Sequence, residues 1–191
     1  MGRIVVTEFV SLDGIIEDPG GAEGYRHAGW TFTFERGAEG DRFKLDELRS
    51  AEAQLLGRVT YEAFAAAWPT IEDAEGFAER MNSMPKYVVS RTLDKADWNN
   101  STILSGDPVE EITALKDKVG GDILVAGSAT LVHLLAANDL VDEYRLMIFP
   151  VLLGSGKRLF PDAVNETATR FRITSSERAG DVQIVVLERD R

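Results

Sequence analysis

Three short stretches of the chain, "QLLGRVTYE", "KYVVSRT" and "DILVAGSATL", share a pattern that could do chemistry. Each is an apolar run of strand character broken off by a small residue. The breaks read Gly57-Arg58 with Thr60 close behind, Ser90-Arg91-Thr92, and Gly127-Ser128 followed by Ala129-Thr130. Glycine lets a backbone come close to a ligand. A helix that starts at once offers unpaired N–H groups, and arginine presents a planar fork that matches phosphate oxygens. Gathered in one place, these parts would hold an extended polyanion such as a dinucleotide. A plain ribose favours an acidic partner near the strand end and a ribose 2′-phosphate favours arginine, so Arg58 and Arg91 point to NADPH. Each stretch alone is weak, because a Gly-Ser turn is usually structural and a lone surface arginine is usually solvated. Their joint placement carries the reading.

Other positions invite a role. Asp13, in "SLDG", could donate a proton or orient a group beside a bound nicotinamide, and it could equally be half of an Asp-Gly turn. Trp30 and Trp68 could line a flat substrate pocket, although aromatics at such spacing more often pack a core. "GSGKRLF", from Gly154 to Phe160, has the composition of an anion nest but reads better as a turn, and His133 as a partly exposed helix residue. Neither G-x-x-x-x-G-K-[ST] nor G-x-G-x-x-G occurs, so the standard phosphate loops are excluded.

The elements that position these residues follow from periodicity. "RIVVTEFVSLDG" predicts a buried first strand, and Ile15 to Gly40 predicts long loops. Helices are predicted at Asp41–Ser50, within "RVTYEAFAAAW" up to Pro69, and inside Asp73–Ser83. "DPVEEITALKDKVGG" has an N-cap in Asp107, proline at the first helical position, a capping-box spacing to Glu110, and lysines before Gly120-Gly121. The end of the chain predicts strands "EYRLMIFPVLLG", "RFRITSSERAG" and "DVQIVVLER" without helices between them. Strands alternating with helices make a parallel sheet, and the last strands make an antiparallel edge. The expectation is one α/β domain over residues 1–191: a mixed, mostly parallel sheet with helices on both faces. The C-terminal ends of parallel strands lie on one rim, where ligands bind.

Composition narrows the classes. The chain has 191 residues and 44% hydrophobic content, enough for a real core. It has no cysteine and two histidines, which removes thiolate chemistry and makes a metal centre an unattractive reading. A net charge of −11 argues against nucleic acid and anionic membranes as partners. The apolar run at the N-terminus is too short for a signal peptide or a span, so a cytoplasmic location is expected.

In this order, "VSLDGIIE", "LLGRVTYEAF", "KYVVSRTL", "GGDILVAGSATLVHLL" and "LVDEYRLMIFPVLLGSGKRLF" resemble the dihydrofolate-reductase-like family. The likeness is greater to its branch around the reductase domain of bifunctional riboflavin-biosynthesis enzymes. The resemblance implies a sheet of about eight strands and NADPH across the strand ends. It also implies Arg58 and Thr60 at the cofactor phosphates, Ser90 and Arg91 near the 2′-phosphate, and Gly127, Ser128, Ala129 and Thr130 under the pyrophosphate, with Gly57 and Thr92 as further cofactor-binding positions. A small pterin- or aminopyrimidine-like substrate and a homodimer follow by the same analogy. The chain departs from the riboflavin branch where "RVTYEAFAAAW" replaces a D-N-P-x-L-T-x-R loop. A non-catalytic nucleotide-binding module and a protein-interaction domain stand as alternatives on the same fold.

Overall fold

The computed structural model describes residues 1–161 and 168–190. Strand and helix alternate from the start: β1 (Arg3–Ser11), α1 (Gly37–Ser50), β2 (Ala53–Gly57), α2 (Arg58–Ala67), α3 (Phe77–Ser83), β3 (Lys86–Val89) and β4 (Ser101–Leu104). There follow α4 (Pro108–Lys118), β5 (Asp122–Val125), α5 (Ala129–Ala137), β6 (Glu143–Phe149), β7 (Phe171–Ala179) and β8 (Val182–Arg189). The strands form one sheet in the order β4-β3-β2-β5-β1-β6-β8-β7. All neighbours from β4 to β6 pair in parallel. Only β8 runs against its two neighbours, which returns β7 to the common direction. The mixed, mostly parallel sheet expected from the sequence is therefore present.

Alternation along β1 divides the core. Ile4, Val6 and Val10 pack with Ile112 and Leu115 of α4 and Leu131, Val132 and Leu135 of α5. Val5 faces the other way, towards Leu48 of α1, Tyr61 of α2 and Met81 of α3. Farther along that second face, Trp30, Met147, Phe149 and Ile184 form a third cluster. Helices thus cover both faces, and every parallel strand points at the same rim.

Three local expectations change. α1 begins at Gly37, not Asp41, because its first turn is held from outside: Gly40 lies against the side chains of Arg36 and Ala179, and Gly37 against the Gly180 backbone. β6 stops at Phe149, where Pro150 follows, so "VLLG" is not strand. The α4 cap is half a capping box. Asp107 Oδ1 accepts from Val109 N at 3.0 Å and Glu110 N at 3.1 Å, and it is Glu111, not Glu110, that reaches back, to Gly106 N.

Candidate active site

Because β3, β2, β5 and β1 are neighbours, the three sequence stretches end side by side. Two glycines let the middle pair touch. Gly57 N donates to Gly127 O at 3.2 Å. A Cβ on Gly57 would fall 2.1 Å from Ser128 Oγ and 2.9 Å from Ser128 N. Gly127 has φ of 105°, in the region glycine alone enters easily, and a Cβ there would meet Thr60 Oγ1 at 2.7 Å. The Gly127–Ser128 peptide is cis. The result is a close-packed ledge of backbone across two helix starts.

Those two helix starts differ from a self-contained one. α4 satisfies its own first turn with Asp107 and carries Glu110 and Glu111 there. α2 and α5 have no side-chain cap and no acidic residue in the first turn, although Gly57 and Ser128 stand at their N-cap positions. Their leading amides and dipole ends are left for an anion, and both point at the same rim. The donor set fits a pyrophosphate, and the two glycines let the helix starts that carry it close on each other.

The outlying members of the set are mixed. Arg91 and Thr92 stand exposed at the end of β3, and Arg91 has no ion pair among the described residues. Ser90 is buried, and its Oγ accepts from Thr92 N (3.2 Å) and Leu93 N (3.0 Å), so it shapes the turn that carries Arg91. Arg58 is tied to Glu62 at 2.8 Å, an exposed i,i+4 pair that a phosphate could displace at small cost. Thr60 is buried beneath Gly127, Ala129 is half-buried and Thr130 is exposed on the first turn of α5.

Three expected residues take other work. Asp13 accepts from Ser11 Oγ (2.6 Å), Leu153 N (3.2 Å) and Gly154 N (2.7 Å). These donors, the Ser11 hydroxyl foremost, hold its carboxyl down at about 2. It is an ionised anchor for the loop after β6 and has no proton to give at neutral pH. Trp30 is core, not pocket wall: it is buried, lies edge-on to Phe149 at 5.3 Å and donates from Nε1 to Glu17 O. Trp68 follows the last turn of α2, about 15 Å along the helix from the rim, where it packs edge-on against Phe64. The "GSGKRLF" segment is a turn tied down by its own cations. Lys157 pairs with Glu17 and Glu23, and Arg158 Nη1 donates to Asp13 O. His133 Nε2 lies 2.7 Å from Arg158 O, which fixes α5 to that turn.

The structure also brings together polar groups that the sequence did not single out. Thr7 Oγ1 accepts from Lys44 Nζ at 2.6 Å and donates to the Glu47 carboxylate at 2.8 Å, and Lys44 and Glu47 are themselves an ion pair. Their signal was the i,i+3 placement of Lys44 and Glu47 beside the apolar Leu45 and Leu48, which turns a charged pair towards the sheet. On the opposite face of β1, Glu8 is buried with no partner for Oε1, and burial pushes its pKa up to about 8. Two hollows lie elsewhere. One of about 640 Å³ runs along the outer side of α2, past Ala65, Ala66, Leu93 and Trp98, and one of about 410 Å³ sits between Tyr144, Phe160 and Phe171.

Comparison with known proteins agrees with this geometry. The RibD C-terminal domain family matches residues 3–185. YyaP of Bacillus subtilis (strain 168), an uncharacterized protein, is 33% identical over 186 residues, 96% of this chain and 93% of its own. YwjB of the same organism, also uncharacterized, is 30% identical over 165 residues, 86% of each chain. Among solved structures, RibD of Acinetobacter baumannii superposes with a TM-score of 0.68 at 16% identity, covering 100% of this chain and 58% of that one. Dihydrofolate reductase of Enterococcus faecalis, solved with NADP(H), gives 0.57 at 16% identity, covering 99% and 97%. These two establish the dihydrofolate-reductase-like fold.

Proposed function

The chain belongs to the RibD C-terminal domain family, and from that premise we propose that it is an NADPH-dependent reductase of a small heterocyclic substrate, pterin- or aminopyrimidine-like. The observation that carries the reading is the pair of uncapped, acid-free helix starts meeting across Gly57 and Gly127 on one rim. When bound, the dihydronicotinamide supplies hydride, which is the cofactor's own chemistry.

The chain's residues bind and orient. The first-turn amides of α2 and α5 would receive the pyrophosphate, and Gly57 and Gly127 let those two starts pack against each other. Arg91, presented by the Ser90 turn, meets the 2′-phosphate, with Thr92 beside it. Arg58 exchanges Glu62 for a phosphate oxygen. Thr60, buried under Gly127, fixes the height of the ledge. β1 pairs with β5 only as far as Val6 but continues to Ser11 along β6. The segment beyond Val6 therefore runs past the ledge and would line the reacting ring. No helix among the described residues is long and apolar enough to cross a membrane, and the reading places the enzyme in the cytoplasm, as a homodimer.

The test is a panel of pterins, aminopyrimidines and quinones assayed for substrate-dependent NADPH oxidation. At least one heterocycle should be reduced with one NADPH consumed per product. Tight NADPH binding without turnover of any panel member would favour the non-catalytic alternative.

A further inference from the structure

Asp13 is taken up by Ser11, Leu153 and Gly154, so the proton for the reduction proposed above needs another source. Thr7 and Phe9 lie on the part of β1 that runs past the end of β5. They face α1, since Thr7 bonds Glu47 and Lys44 Nζ sits 4.9 Å from the centre of the Phe9 ring. An ammonium has three donor hydrogens. Thr7 Oγ1 and the Glu47 carboxylate take two, and the Phe9 ring beside the ammonium is a weak cation–π partner that a substrate oxygen would displace. The Glu47 side chain is 3% exposed, whereas Lys44 is 17% exposed, so the cation is the member of the trio that reaches an open surface. As a packing device the trio is poor, because apolar residues of similar volume would hold α1 on the sheet at least as well. Glu8, the other titratable group at this level of β1, is buried on the opposite face with Val6 and Val10, within electrostatic reach of Lys44.

We infer that Lys44 is the catalytic residue that meets the heteroatom of the C=O or C=N bond being reduced, with Thr7 and Glu47 as its positioning residues. The inference rests on the reductase reading. As the substrate carbon accepts hydride from the reduced nicotinamide, the π pair moves onto oxygen or nitrogen. A proton passes from Lys44 Nζ to that atom, forming O–H or N–H, and the neutral amine is reprotonated by solvent. Before the step, the ammonium stabilises the charge growing on the heteroatom. A site built around a cation prefers substrates that present an acceptor, such as a ring carbonyl.

Barbiturate, a pyrimidine whose oxygens carry a negative charge at neutral pH, is the probe. It is titrated calorimetrically into the wild type, Lys44→Arg, Lys44→Met and the Lys44→Met/Glu47→Leu double variant, each saturated with NADP⁺. The double variant removes both charges, so Glu47 is not left buried alone. Wild type and Lys44→Arg should bind within a few-fold of each other, and both Met variants about tenfold or more weaker, with NADPH affinity equal in all four. On any reducible panel member, kcat of the double variant should fall by about 10² or more. Barbiturate binding that is absent in the wild type, or unchanged in the double variant, overturns the role of Lys44 while the cofactor reading stands. Failure of the wild type to bind NADPH removes the reductase reading first, and this inference with it.

Discussion

Replacing Gly57 with alanine tests the ledge with a single methyl group. Gly57 has φ of −76° and ψ of 158°, so alanine suits the backbone and no strain arises there. The cost lies across the gap. Ser128 Oγ, 2.1 Å from the new Cβ, can rotate away, but Ser128 N and Cβ at 2.9 Å belong to the turn itself. Carbon contacts are comfortable at about 3.5–4.0 Å, so the turn must retreat by about half an ångström or more. Overpacking on this scale costs about 1–3 kcal/mol, or about 2–12 °C in Tm for a domain of this size. The retreat carries the first amides of α5 away from those of α2. Losing one charge-assisted hydrogen bond costs about 1.5–3 kcal/mol, so NADPH should bind about tenfold to a hundredfold more weakly. The control is Gly20→Ala, where φ is ordinary and nothing lies within 4 Å, and it should leave Tm and affinity unchanged. Calorimetry gives Tm, and quenching of tryptophan fluorescence gives Kd. A Gly57→Ala protein with wild-type Tm and wild-type NADPH affinity would refute the ledge.

Arg91→Ala should weaken NADPH binding about tenfold or more and leave NADH binding unchanged in parallel titrations. Asp13→Asn should keep NADPH affinity and retain turnover on any accepted substrate, because the carboxylate anchors a loop. Its folded pKa of about 2 lies below the unfolded value of about 3.9, so its stabilisation is present above about pH 4 and lost as pH falls towards 2. A Tm-against-pH series should therefore show a shallower acid limb in the variant. Glu8 has the opposite sign. With its folded pKa raised to about 8, stability is full below about pH 4 and declines as pH climbs towards 8, and Glu8→Gln should abolish that decline.

The cofactor rim was legible because its punctuation is local. An apolar run, a glycine and an immediate helix read the same in the sequence as in space, and α4 announced itself through Asp107-Pro108. The start of α1 was not legible, since Gly-Ala-Glu-Gly has poor intrinsic helix propensity and is ordered by Ala179 and Gly180, far along the chain. Trp30 was misread as a possible pocket wall because its partner Phe149 is distant in sequence. Asp13 read equally as donor or turn until the two backbone donors at Leu153 and Gly154 were in place. Lys44 and Glu47 were not singled out in the sequence. Their i,i+3 spacing turns them towards the sheet, but the strand order is what puts Thr7 beyond the end of β5 and beneath α1.

The central claim is that uncapped helix starts and Arg91 hold a 2′-phosphorylated dinucleotide across one rim. Equilibrium titration of the wild-type protein with NADPH and NADH, side by side at fixed salt, tests it most directly. The account predicts saturable binding of both, with NADPH tighter by about tenfold or more. Equal affinities, or no binding of either, would contradict it.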